Sequence, residues 1–151
     1  MKKTLFLTLL IFIFFHKAHS QNLSGSIGVG AIIGEPTGVS VAYHTTDGHS
    51  FAGGTAWHFL NRISYHLHVD YLFYQYNIFQ PDHGSLPLYF GLGARLRFDK
   101  TDKFGIRFPI GIAYHFENEP IEIFFEIVPI MELMPGTELA GNSGIGIRYY
   151  F

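Results

Sequence analysis

From residue 26 onward, most of the chain alternates apolar residues with polar or small ones. Because successive side chains of a β-strand point to opposite faces, this period of two predicts strands that each have one apolar face. All 17 glycines lie after residue 20, which further disfavours helices. Turn residues divide the pattern into eight predicted strands, at residues 26–33, 38–45, 51–60, 63–73, 88–98, 104–116, 121–133 and 143–151.

The longest unbroken alternation runs through residues 104–116. Two prolines, Pro109 and Pro129, fall inside strand patterns, and each is expected to mark a bulge or a local irregularity because proline donates no backbone hydrogen bond. No connection is expected to exceed about ten residues by its turn signals. Such short connections favour an antiparallel up-and-down meander.

The N-terminal segment predicts export. Lys2 and Lys3 precede the apolar run 5–15, and Ala18-His19-Ser20 resembles a cleavage site with small residues at its two ends. Residues 1–20 are therefore expected to be a signal peptide, and residues 21–151 a single barrel domain.

Composition excludes several classes of protein. Without cysteine the chain has no disulfide framework, thiolate zinc site, cysteine nucleophile or lipid-modified cysteine. Asp and Glu outnumber Lys and Arg by 12 to 10 before the signal segment is removed, so nucleic acid is not expected as a partner. Beyond residue 20 no apolar run reaches the roughly 18 residues that a membrane helix requires.

The apolar faces are expected to contact lipid. They extend over more positions than the about 9–11 residues that a tilted membrane strand needs. The opposite faces do not resemble a solvated surface, because Lys100 and Lys103 are the only lysines after residue 20. The predicted fold is an all-β, eight-stranded antiparallel up-and-down transmembrane β-barrel with a filled polar lumen.

The polar faces carry charges of both signs, with four basic and four acidic residues. Glu132 is one of the four acidic residues. An eight-stranded barrel has room for side chains but not for a wide channel, so these charges are expected to pair inside the lumen. Loss of one buried partner is expected to cost about 3–5 kcal/mol. The predicted lumen charge network comprises Asp70, Arg95, Arg97, Arg107, Glu122, Glu126 and Arg148, with Asp70, Glu122 and Glu126 as the acidic partners.

The chain ends in Gly144-Ile145-Gly146-Ile147-Arg148-Tyr149-Tyr150-Phe151 and contains Gly-x-Gly segments such as Gly91-Leu92-Gly93. Together with the signal segment and the strand pattern, these features resemble small OmpX/OmpA-like outer-membrane barrels. The resemblance implies location in the bacterial outer membrane, contact with its lipid, and a structural or interaction role. It also implies that the assembly machinery reads the terminal Phe and the alternate residues before it, here Ile145, Ile147, Tyr149 and Phe151.

Other chemistry is weighed against this interpretation. His66, His68 and Asp70 share one strand face and carry metal-ligating groups, but hydrogen-bonded filling of the lumen is favoured because their spacing of roughly 7 Å need not converge. No metal, cofactor or catalytic residue is therefore expected, and no external partner is indicated. Two alternatives remain open: an outer-membrane enzyme that modifies lipid A, and a soluble periplasmic lipocalin-like barrel that binds an apolar ligand.

Overall fold

The computed structural model of the protein describes residues 23–35, 37–46, 48–58 and 64–151, so the expected signal peptide lies outside the described residues. Among these residues there is no helix long and apolar enough to cross a bilayer. The strands are β1 (Ile27–Glu35), β2 (Thr37–Thr46), β3 (His49–His58), β4 (Ser64–Gln75), β5 (Leu88–Phe98), β6 (Lys103–Arg107), β7 (Ile110–His115), β8 (Ile121–Met134) and β9 (Glu138–Tyr150).

The strands form one closed antiparallel ring. Strands that are adjacent in sequence pair with each other, except β6 and β7, and β1 closes the ring by pairing with β9 from Gly28↔Tyr150 to Glu35↔Ser143. Closure satisfies the backbone donors and acceptors that an open sheet leaves at its edges. We call the end where β1 begins and β9 ends the terminal rim, and the opposite end the distal rim.

Two of the nine strands occupy a single position in the ring. β6 and β7 both pair with β5 and with β8, and their registers are continuous across the gap between them. Pro109 accepts a hydrogen bond from Gly91 on β5, and Pro129 accepts one from Phe108. Neither proline can return a bond, because it has no N–H. Because β6 and β7 share one position, the barrel has the eight strand positions that the sequence predicts.

The predicted irregularity at Pro109 interrupts the strand that contains this proline, whereas the one at Pro129 affects the neighbouring strand. The predicted strand at residues 104–116 is interrupted between Arg107 and Ile110, whereas β8 continues through Pro129, which pairs with Gly141 on β9. Pro129 has no backbone N–H to donate toward the interrupted strand. The missing hydrogen bond therefore disturbs that strand and leaves β8 continuous.

Two further expectations differ from the structure. β9 begins at Glu138 rather than at residue 143, because residues 138–142 continue the pairing with β8 although they include Gly and Asn, which are weak strand formers. The connection between β4 and β5, residues 76–87, exceeds the expected ten residues. It returns to the wall at the terminal rim, where Ser85 and His115 exchange backbone hydrogen bonds of 3.0 and 2.9 Å.

The predicted direction of the two faces is confirmed. Arg95, Arg107, Glu122 and Arg148 are buried inside the ring, and the apolar residues beside them in sequence point outward. The exposed apolar side chains come from every strand position; examples are Val29, Val41, Phe51, Val69, Leu92, Ile110, Ile127 and Ile147.

Large side chains fill the lumen near the terminal rim. Leu72, Tyr74, Tyr89, Phe124 and Tyr150 are buried in one apolar cluster. Glycine makes room for them on the adjacent strands: a Cβ atom at Gly146 would overlap the Phe124 ring, and one at Gly111 would overlap the Tyr89 ring.

We expect Gly146→Ala to destabilise the barrel by about 1–3 kcal/mol, because overpacking displaces the buried Phe124 ring. Urea unfolding of the protein refolded in lipid vesicles measures the change. Gly136→Ala is the matched control, since a Cβ atom there has nothing within 4 Å. Equal midpoints for the two variants would contradict tight packing between Phe124 and β9.

Candidate functional site

The inside of the ring holds most of the chain's buried charge. Its charged side chains belong to β4, β5, β6, β8 and β9, and every second residue of those strands points inward. The buried charged residues are Asp70, Arg95, Arg107, Glu122, Glu126, Glu132 and Arg148. Because burial of an unpaired charge is costly, the position of each partner determines what this interior can do.

Arg107 lies near the middle of the lumen between two carboxylates. Its Nε donates to both oxygens of Asp70, at 2.9 and 3.2 Å, and its Nη2 lies 3.9 Å from Glu126 Oε1. Glu126 also accepts a hydrogen bond of 3.0 Å from the Tyr89 hydroxyl. This group joins β4, β5, β6 and β8 across the interior.

A second group lies toward the terminal rim around Glu122. Arg148 Nη1 donates to Glu122 Oε1 at 2.5 Å, and His115 Nε2 lies 2.6 Å from Glu122 Oε2. Arg148 Nε donates to the Ser40 hydroxyl at 2.9 Å, and its guanidinium lies 3.9 Å from the centre of the Phe124 ring. The guanidinium is thus held by a charge, a hydroxyl and an aromatic face at once.

A third group lies toward the distal rim around Glu132. Arg95 Nη2 donates to Glu132 Oε1, and Lys103 Nζ lies 2.7 Å from Glu132 Oε2. Arg97 is partly exposed and lies 4.0 Å from Glu132 and 3.9 Å from Asp99. Glu132 is therefore an acidic partner shared by three basic side chains at this end.

The structure places all seven residues of the predicted lumen charge network on the inner face, but it pairs them differently in part. Arg107 meets Asp70 and Glu126, and Arg148 meets Glu122, as the prediction allows. Arg95 and Arg97 instead pair with Glu132, which was not among their expected partners. The side-chain stagger around the barrel brings Glu132 rather than Glu126 to the level of Arg95.

His66, His68 and Asp70 do not converge on one point. His66 Nε2 lies 3.3 Å from the Ser64 hydroxyl, whereas His68 Nε2 lies 3.9 Å from Asp70 Oδ2. Both oxygens of Asp70 are already engaged by Arg107. Lumen filling is therefore the interpretation that this geometry favours.

The C-terminal residues predicted as an assembly signal lie along the outer face of β9 and just beyond it. Ile145, Ile147 and Phe151 are exposed, and Tyr149 is half-buried. Phe151 exchanges backbone hydrogen bonds with Ile27, so the last residue is fixed against β1. Its side chain nevertheless remains accessible from outside the barrel.

Residues 18–151 match the family described as "Protein of unknown function (DUF3996)". The chain belongs to this family. No curated protein matches it. Among solved structures, this DUF3996 chain is similar to the N-terminal β-barrel domain of Pseudomonas aeruginosa OprF, with a TM-score of 0.63 and 15% identity over 85% of this chain and 98% of that one. At this identity the likeness concerns the fold.

Sequence reasoning about this DUF3996 chain missed the polar partners that carry no formal charge. Ser40, Tyr89 and Tyr150 bind charged or titratable side chains in the lumen. It also missed that His44 and His115 both approach Glu122. The alternation along each strand could have placed these residues in the lumen. It could not have predicted which side chains they contact there.

We expect Glu126→Ala to lower the free energy of unfolding by about 1–3 kcal/mol, less than the loss expected from the sequence. Arg107 keeps Asp70 as its partner, so the main cost is the unsatisfied Tyr89 hydroxyl. Thermal or urea midpoints measure the change, and Tyr89→Phe/Glu126→Ala should recover part of the loss. An unchanged midpoint in Glu126→Ala would count against a stabilising role for this group.

Proposed function

We propose that the protein is a small outer-membrane β-barrel that is exported by its residue 1–20 signal segment and has a structural or interaction role. The observation that carries this proposal is the outer face of the ring. Large apolar side chains are exposed all around it, while the paired charges lie inside. The outer leaflet and inner leaflet lipids are the direct partners of this face.

The exposed apolar area supports insertion into lipid. Val69, Leu92 and Ile127 lie on different strands, and each is more than half exposed. Soluble monomers rarely expose contiguous apolar patches larger than a few hundred Å². A belt that continues around the ring matches the lipid-facing band of outer-membrane barrels instead.

Aromatic side chains occur at both borders of this belt. At the terminal rim, Tyr71 lies 4.9 Å from Phe51 and 5.0 Å from Phe73 between ring centres. At the distal rim, Tyr65 pairs with Phe98, and both are exposed. Aromatic rings at the two headgroup levels are typical of membrane barrels.

The packed interior supports a role other than that of a pore. Arg107 is fully buried in the middle of the lumen, and the void beside it and His68 measures about 20 Å³. A single water molecule needs a comparable volume. Diffusion of solutes through such an interior would require displacement of the Arg107 ion pairs.

The exposed residues of the C-terminal strand support recognition during assembly. Ile145, Ile147 and Phe151 present alternate apolar side chains on the outside of β9, with Tyr149 among them. We therefore include the outer-membrane assembly machinery as a partner of the unfolded or folding chain.

The two alternatives fit the geometry less well. A lipocalin-like barrel needs apolar side chains around an internal ligand, whereas this lumen contains buried ion pairs beside a packed cluster of Leu, Phe and Tyr side chains. An enzyme that modifies lipid A needs its nucleophile and base at the lipid surface. Here Ser40 and Ser64 are buried inside the ring.

Fractionation of the native envelope tests the proposal. We expect the protein in the detergent-extracted outer membrane, with heat-modifiable migration on gels, and recovery in the periplasmic extract without detergent would overturn it. Planar bilayers containing the purified protein should show no stable conductance. Lipid A mass spectra should be the same with and without the gene, and an altered acyl pattern would favour the enzyme instead.

A further inference from the structure

Three metal-ligating side chains from separate strands meet in the lumen near the terminal rim. His44 on β2, His115 on β7 and Glu122 on β8 are all buried, and one ligand atom from each lies within 4.8 Å of the others. No other group of three such residues was found among the described parts of the chain. This convergence is independent of the His66, His68 and Asp70 set, whose carboxylate is occupied by Arg107.

The two oxygens of Glu122 have different surroundings. Oε1 is bound by Arg148, which neutralises one unit of charge. Oε2 faces both histidines, at 2.6 Å from His115 Nε2 and 4.0 Å from His44 Nε2. Zinc holds imidazole nitrogen and carboxylate oxygen at about 2.0–2.2 Å, so small side-chain shifts would bring the three atoms around one ion.

A cavity at the terminal rim reaches one member of this group, His115. His115 lines this cavity of about 270 Å³ together with Asp82, Glu117 and Glu119. Acidic side chains around a concave opening raise the local concentration of cations. His115 is thus shared between the acidic cavity and the buried cluster.

We propose that His44 Nε2, His115 Nε2 and Glu122 Oε2 bind one divalent transition-metal ion of the zinc class. Two imidazoles and one carboxylate suit zinc, nickel or copper better than magnesium or calcium, which prefer oxygen. The ion displaces the hydrogen bond between His115 and Glu122, and His44 exchanges its 3.1 Å contact with the Tyr150 hydroxyl for the metal.

The position of the site gives it a structural consequence. β2 and β7 lie on opposite sides of the ring, since β1, β9 and β8 separate them in one direction and β3, β4 and β5 in the other. A metal ion held by His44 and His115 would therefore tie two facing walls of the barrel together. It would also place a positive charge at the inner end of the acidic cavity.

Calorimetric titration of Zn²⁺ into the protein, refolded in detergent and stripped with EDTA, tests the proposal. We expect one equivalent to bind, and His44→Gln and His115→Gln each to weaken binding by more than about tenfold. His68→Gln is the matched control, because it removes another lumen histidine outside the cluster. Heat-modifiable migration verifies that each variant is folded.

Two outcomes would overturn the site. One is the absence of a stoichiometric Zn²⁺ complex in the folded wild-type protein. The other is loss of binding in His83→Gln but not in His44→Gln, since His83 and Glu117 form an exposed pair beside the cavity. X-ray absorption of the wild-type complex gives a readout that does not depend on variants: we expect two imidazole ligands and oxygen at about 2.0–2.2 Å.

Discussion

Replacing Arg148 with methionine is expected to lower the free energy of unfolding by about 3–5 kcal/mol. The guanidinium is buried and bonds to both Glu122 and Ser40. Its removal leaves the Glu122 carboxylate, which is 0% exposed, without its cationic partner. Urea unfolding in phospholipid vesicles with EDTA present measures the loss in the absence of bound metal.

Two comparisons separate lost charge pairing from lost packing. Arg148→Met/Glu122→Gln should recover part of the stability, because the uncompensated carboxylate is then absent. Lys100→Met removes a cation from an exposed turn and should leave the midpoint nearly unchanged. If Arg148→Met behaved like Lys100→Met, the buried ion pair would have no stabilising role.

Replacing Leu92 with arginine is expected to cost about 2–4 kcal/mol in a lipid bilayer. Leu92 lies near the centre of β5, and its side chain is 55% exposed on the outer face. In water an arginine would be well solvated at this position, but in the hydrocarbon region its charge loses that solvation. Unfolding from vesicles and the yield of folded protein after refolding both measure the penalty.

Thr101→Arg provides the matched control for Leu92→Arg. Thr101 is exposed in the connection between β5 and β6, beyond the apolar belt, so the added charge there should be tolerated. Equal stability of the two variants in vesicles would contradict the placement of the outer face in lipid. Greater solubility of Leu92→Arg without detergent would favour a water-exposed barrel.

The sequence was sufficient to predict which face of each strand points inward. A shift of one residue would move Arg95, Arg107 and Arg148 to the outer face. Only one orientation of the strands therefore keeps these charges out of lipid. The number of strand positions was also predictable from turn residues. Pro109 was sufficient to predict part of the interruption after Arg107. The contribution of Pro129 was not predictable, because it depends on which strands are neighbours.

The partners within the lumen were less predictable. Contacts across a barrel depend on the stagger of strands that are distant in sequence, and alternation within one strand does not specify that stagger. For this reason Glu132 was not assigned to Arg95, and the approach of His44 to Glu122 was missed. The early start of β9 was hidden because Gly141 and Asn142 are weak indicators of a strand.

Closure of the ring has a consequence for the order of folding. Ser40 and Arg148 are 108 positions apart in the chain, and His44 and Tyr150 are 106 apart. A nascent hairpin can form neither contact, because both need β2 and β9 in place. Local hairpins can therefore supply little of the final cross-lumen stabilisation, and high contact order makes the last closing step both slow and strongly cooperative.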